Sequence, residues 1–334
     1  MSSASGFENE SEYRSCVLCP RKCKVDRTVK AGYCRELAEL HVARASLHMW
    51  EEPCISGKGG SGTVFFSGCN MGCVFCQNRA ISKGEVGKII TLERLVDIFF
   101  ELEDQGANNI NLVTGDMFIP TIRKAIERAR SRGIKIPFLM NTSSYINVEI
   151  LRTLEGLIDI YLPDFKYIRE QDAIRYSNAP GYVEAARAAI AEMVRQQPEC
   201  VFDDEGGKAD EQRDDKINTD RTGDKSDEAY AEPGMLRKGV VVRHLLMPGM
   251  LIQAKLIVKY LYDTYGDSIY ISLMNQFTPN EELEGFPEIN RKVTDSDYDS
   301  LIDYAAQIGV TKGFMQVGET ATESFIPDFD CRGV

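Results

Sequence analysis

From Gly62 onward the chain alternates short apolar runs rich in β-formers with amphipathic helical stretches, and few architectures accept such an alternation. The runs Thr63–Ser67, Asn109–Thr114, Pro137–Asn141, Ile158–Pro163, Gly239–Leu246 and Ser268–Met274 read as strands. Between them Leu92–Leu102, Ile119–Arg132, Val148–Leu154, Val183–Arg195 and Leu251–Tyr265 follow a helical period, with Thr91 and Asn147 placed to cap. Parallel strands joined by right-handed helical crossovers make an open doubly wound sheet or a barrel, complete or partial. Both put their chemistry at the C-terminal ends of the strands. Thr114, Gly115 and Asp116, then Asn141–Ser144, then Asp164 and Lys166, all follow predicted strand ends and so are expected at one mouth.

The 334 residues, 43% of them apolar, are enough for a substantial core. A formal charge of −12 argues against a general binder of nucleic acid or anionic membrane, which needs clustered Lys and Arg. No apolar run approaches the roughly 20 residues that span a bilayer, and Met1–Ser15 is unlike a signal peptide, so a cytosolic protein is expected. Asp203–Glu232 holds 12 acidic and 5 basic residues and almost no large apolar ones. Such a segment buries too little surface to offset its ordering entropy and reads as a disordered insertion.

Eight of the ten cysteines fall before position 77. Short spacings in a chain of this size, without an export signal, favour metal ligation over a disulfide scaffold. Directly after the first predicted strand stands Gly68-Cys69-Asn70-Met71-Gly72-Cys73-Val74-Phe75-Cys76, a Cys-x3-Cys-x2-Cys pattern. Three thiolates on one tight loop can hold three irons of a cubane and leave the fourth open to an external ligand. Phe75, between two of the ligands, is apolar and could pack on an aromatic cofactor ring. An incomplete zinc site is the other reading of the same thiols.

The run Ser67–Asn78 resembles the signature of the radical S-adenosylmethionine (radical SAM) superfamily. The wider stretch from Glu52-Pro53-Cys54-Ile55-Ser56-Gly57 through Cys76-Gln77-Asn78 resembles the PflX-like branch of pyruvate formate-lyase activating enzyme homologues. The likeness runs from about Cys16 to about Pro279, apart from the acidic insertion. It implies a partial (β/α)6-type TIM barrel, the radical SAM core, with a 4Fe-4S cluster on Cys69, Cys73 and Cys76. In such proteins the amine and carboxylate of S-adenosylmethionine chelate the open iron. One electron, from a donor such as flavodoxin or ferredoxin, then yields methionine and a 5′-deoxyadenosyl radical that abstracts hydrogen from a substrate. The activase resemblance implies a protein substrate; a small molecule or another peptide is the alternative, and a non-catalytic zinc or iron-sulfur protein a third.

The resemblance also implies cofactor contacts. Val113-Thr114-Gly115-Asp116 stands where activases contact the methionyl amine, with an ordinary strand-to-helix turn capped by Asp116 as the plainer reading. Asn141 and Ser143 stand in a segment near the ribose, and Asp164-Phe165-Lys166 matches an Asp-x-Lys of the fourth strand. Arg243 stands where an arginine binds the cofactor carboxylate, a role its planar fork suits. His244 reads as a packing residue. Gly57–Gly62 lacks the order of a phosphate-binding loop.

A second group, Cys16-x2-Cys19-x3-Cys23-x10-Cys34, could close around zinc or a further iron-sulfur cluster, and His41 and His48 accompany it. Members of the PflX-like branch resemble this chain in having such a run, while compact activases lack it. The expected organisation is a cysteine-rich metal-binding segment over residues 1–60, the partial barrel over 61–320 with the acidic insertion 203–232, and a tail over 321–334.

Overall fold

The computed structural model of the protein describes residues 11–203, 234–316 and 326–334. Beyond Asp203, the acidic segment expected to be disordered lies outside the described residues. The strands are β1 (Leu40–His48), β2 (Ser61–Phe66), β3 (Lys88–Ile90), β4 (Ile110–Val113), β5 (Phe138–Thr142), β6 (Ile160–Pro163), β7 (Val201–Phe202), β8 (Leu236–Leu245), β9 (Tyr270–Met274) and β10 (Gly313–Met315). They form one sheet in the order β10-β9-β8-β6-β5-β4-β2-β1-β3, with β7 paired to β8 off this path.

From β2 through β10 along that order every pairing is parallel. The sheet ends at β3 and β10 and does not close, so the architecture is an open, partial barrel of mixed α/β class. All six predicted strands are present within a few residues. The central ones, β4, β5 and β6, are buried along their whole length, as expected of parallel strands covered on both faces.

The predicted helices appear as Leu92–Asp104, Ile119–Ser131, Val148–Arg152, Tyr182–Gln196 and Leu251–Tyr265. Thr91 caps the first of these, its Oγ1 accepting from the Arg94 amide at 3.1 Å. Asn147 does not cap in this way. Its side-chain amide instead donates to the Val17 carbonyl at 2.6 Å, because the N-terminal segment passes within reach. Among the described residues no helix is long and apolar enough to cross a membrane.

Two additions were not expected. The nine-residue β1 pairs antiparallel with β2 and extends the sheet beyond the first barrel strand, and β3 pairs antiparallel with β1. Residues near the C-terminus then close over β1, with the Ala45 amide donating to the Arg332 carbonyl at 2.9 Å and the Cys331 amide to the Ala43 carbonyl at 3.0 Å.

Candidate active site

The cysteine loop leaves β2 through Gly68, whose φ of +82° is a left-handed conformation. A β-carbon there would stand 2.3 Å from Glu36 Cγ and 2.7 Å from the Cys34 carbonyl oxygen, so both conformation and space require glycine. The far side of the loop is pinned by amides: Gly72 donates to the Ser177 carbonyl and Val74 to the Tyr176 carbonyl, each at 2.9 Å. The loop is thus held between the N-terminal segment and the helix Glu170–Ser177.

This arrangement brings Cys69, Cys73 and Cys76 into the wall of one cavity of about 440 Å³. Donors reach two of the sulfurs: the Met71 amide stands 3.4 Å from Cys69 Sγ, and Ser177 Oγ donates to Cys73 Sγ at 2.9 Å. Tyr167 Oη lies 2.6 Å from the same serine oxygen and fixes it. Burial pushes the Cys69 thiol far up and the Cys73 thiol up to about 11, with the Lys166 ammonium pulling the latter back down. A metal centre would have to displace those protons, and the aimed donors favour the charged sulfur it would leave.

Across the cavity lies a buried polar network. Arg243 donates through Nε to Asp164 Oδ1 at 2.9 Å, through Nη1 to Glu51 Oε2 at 3.2 Å and through Nη2 to Asn141 Oδ1 at 2.6 Å. Lys166 Nζ donates to Asp164 Oδ2 at 2.5 Å. Burial by itself would raise the Asp164 carboxyl, but Arg243 and then Lys166 outweigh it and hold it below the usual carboxylate range. Glu51 was not singled out in the sequence. It lies just before the first barrel strand, and only the fold carries it to Arg243. Its neighbour Glu52 also lines the cavity, raised by burial and with Oε2 unpartnered.

Of the expected cofactor contacts, Phe75, Asn141, Ser143, Asp164, Lys166 and Arg243 line this cavity together. Phe75 packs on Phe277, with ring centroids 5.7 Å apart, and Ser143 Oγ has no partner. Gly115 and Asp116 are not among the lining residues, contrary to expectation. Gly115 is pressed into the core, where a β-carbon would meet Ile122 Cδ1 at 2.7 Å. Asp116 is buried, accepts from Thr142 Oγ1 at 2.9 Å, and faces a second pocket lined by Cys16, Cys19, Cys23 and Cys34. Thr114, expected at the mouth together with them, does reach it. It lines the cavity with a φ of +57°, a strained value for a β-branched residue.

The histidines have other partners. His41 Nδ1 stands 3.1 Å from Glu36 Oε2, and His48 packs edge-on to Phe65 with centroids 6.0 Å apart. His244 is buried, its Nδ1 lies 2.8 Å from the Phe165 carbonyl, and burial holds its pKa down at about 4. As the side chains stand, no group of three or more His, Cys, Asp or Glu among the described residues is close enough for a single metal ion. Three thiols that line one cavity, with donors aimed at two of the sulfurs, are the donor set an iron-sulfur cluster takes. The facing guanidinium, carboxylates and unpartnered hydroxyl fit an amino-acid-bearing cofactor, whose carboxylate needs a cation and whose amine needs acceptors.

Among the comparisons with known proteins, the family match agrees with this chemistry. Residues 63–202 match the family model of the radical SAM superfamily. The chain is 25% identical over 303 residues to an uncharacterized protein of Methanocaldococcus jannaschii, covering 88% of this chain and 75% of that protein. Among solved structures, SuiB of Streptococcus suis bound to its precursor peptide SuiA is 11% identical, with a TM-score of 0.43 over 76% of this chain and 47% of SuiB. A domain of pyruvate-formate lyase-activating enzyme from Bacteroides vulgatus is likewise 11% identical, with a TM-score of 0.41 over 63% of this chain and all of that domain. The hydrogenase maturase HydG from Carboxydothermus hydrogenoformans is 13% identical, with a TM-score of 0.41 over 78% of this chain and 58% of HydG. The chain spans about half the length of the SuiB structure it matches. Residues 63–202 of the chain thus carry a match to the radical SAM superfamily.

Proposed function

We propose that the protein is an activase-like enzyme that binds a 4Fe-4S cluster on Cys69, Cys73 and Cys76 and S-adenosylmethionine beside it, and abstracts hydrogen from a protein substrate. When bound, the cluster and cofactor supply reductive cleavage of a carbon-sulfur bond and a carbon-centred radical. The observation that carries the reading is the shared cavity: the three thiols line it together with Arg243, Asp164, Lys166, Asn141 and Ser143.

In this reading Arg243 receives the cofactor carboxylate, and the Asp164 carboxylate, kept ionised by its two cations, accepts from the amine. Ser143 Oγ, which lacks a partner in the protein, takes a ribose hydroxyl. Phe75 and Met71 form an apolar wall that excludes water from the reacting centre. Ser177 and the Met71 amide stabilise charge on the ligand sulfurs.

A cavity of about 440 Å³ lies near the small end of the range for drug-sized ligands, so the cofactor would leave little room inside. A substrate segment reaching in from outside fits this better than a second enclosed small molecule. Trp50, 59% exposed and part of the cavity wall, offers an aromatic rim for such a segment. The ten free cysteines suit a reducing cytoplasm, with a flavodoxin or ferredoxin as the one-electron donor.

Cys73→Ala is expected to abolish both the brown absorbance of anaerobically reconstituted protein and its production of 5′-deoxyadenosine; retention of both would remove the loop from this role. Reduced enzyme mixed with glycyl-radical enzymes is expected to generate a protein radical visible by electron paramagnetic resonance. Production of 5′-deoxyadenosine without such a radical would point to a small-molecule substrate.

A further inference from the structure

One surface of the molecule carries a charge that the rest of the chain does not share. The formal charge is −12, yet between Ser11 and Leu40 every charged side chain that is exposed is a cation: Arg14, Lys22, Lys24, Lys30 and Arg35. The four acids of this stretch, Glu12, Asp26, Glu36 and Glu39, are buried or half-buried. Lys22, Lys24 and Arg35 have no carboxylate partner among the described residues, and Arg35 reaches only the Lys83 carbonyl, at 3.4 Å. These three have φ of +43°, +53° and +69°, a backbone that residues with a β-carbon adopt at a cost. Each amide donates back along the chain, to the carbonyls of Cys19, Cys16 and Gly32 at 3.0, 2.9 and 3.0 Å, so the points at which the cations leave the backbone are fixed.

This surface lies against the outer side of the cysteine loop. A β-carbon on Gly72, between Cys69 and Cys73, would stand 2.8 Å from Tyr33 Oη, and one on Gly68 would stand 2.7 Å from the Cys34 carbonyl oxygen. Tyr33 is 39% exposed, so a single residue spans from solvent to the loop. Arg21 stacks on its ring, 3.2 Å from the centre, and donates to the carbonyl of Asn70, the residue after Cys69, at 2.5 Å. Lys22 and Lys24 are brought alongside by Cys23, whose Sγ would lie 3.3 Å from a β-carbon on Gly32.

In the proposed function the cofactor and substrate take the cavity side of the loop, which leaves the outer side for the electron donor, because transfer of an electron weakens steeply with distance. Cations beside exposed apolar residues, here Tyr33 with Val29 and Leu37, suit an acidic protein partner, and redox encounters need only a small interface. The rest of the chain, acidic overall, would repel a long polyanion such as nucleic acid, whereas a compact acidic protein meets only this face. We propose that the surface of Lys22, Lys24, Tyr33 and Arg35 is the docking site of a small acidic electron-transfer protein, which passes one electron to the centre on Cys69, Cys73 and Cys76. With a flavin donor the anionic hydroquinone loses that electron and becomes the neutral semiquinone, the centre gains it, and no proton moves.

The inference rests on the proposed function for the centre that receives the electron, so docking is measured apart from turnover. Oxidised flavodoxin, an acidic probe, titrated calorimetrically into the full-length protein should bind at about 50 mM salt and weaken by about tenfold or more at about 500 mM. Lys22→Glu/Lys24→Glu should weaken the low-salt binding by about tenfold or more. Lys135→Glu/Lys238→Glu, the same change of charge near the N-terminal ends of β5 and β8, should alter it by less than about threefold. After anaerobic reconstitution, Lys22→Glu/Lys24→Glu should lose about tenfold or more of the 5′-deoxyadenosine production driven by reduced flavodoxin and keep the rate driven by dithionite. The salt dependence of the parent protein decides the matter even where Lys22→Glu/Lys24→Glu does not fold. Salt-independent binding, equal weakening by the two variants, or tighter binding of a single-stranded oligonucleotide than of flavodoxin would overturn the inference. If dithionite gave no 5′-deoxyadenosine although flavodoxin bound as expected, the proposed function would fail and the docking site would stand.

Discussion

Arg243→Met is the substitution whose cost the structure defines best. The side chains of Arg243, Asp164 and Glu51 are only 14%, 15% and 9% exposed, so solvent does little to screen them. Methionine fills much of the same volume but leaves Asp164 with Lys166 alone, and Glu51 with two amide donors, those of Asn111 at 2.9 Å and Asn141 at 3.4 Å. Breaking a buried pair by removing one partner costs about 3 to 5 kcal/mol, against about 0 to 1 kcal/mol for an exposed pair. For a chain of this size that corresponds to a melting temperature lower by roughly 4 to 7 °C. Anaerobic thermal melts followed by circular dichroism, without added cofactor, measure it. Glu51→Gln added to Arg243→Met should recover part of the loss, because it removes one of the stranded carboxylates. A shift of Arg243→Met below about 2 °C, the range of a solvated surface pair, would refute the claim that this network is desolvated.

Two further outcomes follow from the same geometry. Gly68→Ala is expected to lower stability by more than the roughly 1 to 2 kcal/mol of its left-handed backbone, since the added methyl group also strikes Glu36 and the Cys34 carbonyl; urea unfolding checks this, and a change under about 1 kcal/mol would mean that the N-terminal segment does not press on the loop. His244 has a folded pKa of about 4, below its ordinary value, so between the two the unfolded chain binds more protons. Its contribution is complete above about pH 6.5 and is lost as pH falls toward 4, on the order of 3 kcal/mol. His244→Asn, which can still donate to the Phe165 carbonyl, should flatten that part of the stability-pH curve, and an unchanged curve would show that the histidine is not buried neutral.

Local pattern carried much of the architecture. The six barrel strands and five helices were legible because period and β-propensity act over a few residues, and the parallel sheet followed from their alternation. Strand β1 was missed because its apolar positions are broken by His41, Arg44, Ser46 and His48, and it gains its regularity by pairing with β2. The cap at Thr91 needed only its own backbone, whereas Asn147 turned to Val17, far away in the chain.

The sequence by itself determined the ligand chemistry: two sets of thiols at spacings that a soft metal centre accepts, one with three sulfurs and one with four. Only the tertiary structure decided what surrounds them. It recruited Glu51 to Arg243 across the cavity, turned Asp116 away from the mouth toward the second pocket, and set Arg21 and Tyr33 against the loop of Cys69. Spacing along a chain specifies which groups can share a turn; the charges and hydrogen-bond donors that tune those groups come from residues scores of positions away, and only packing of the whole sheet brings them within reach.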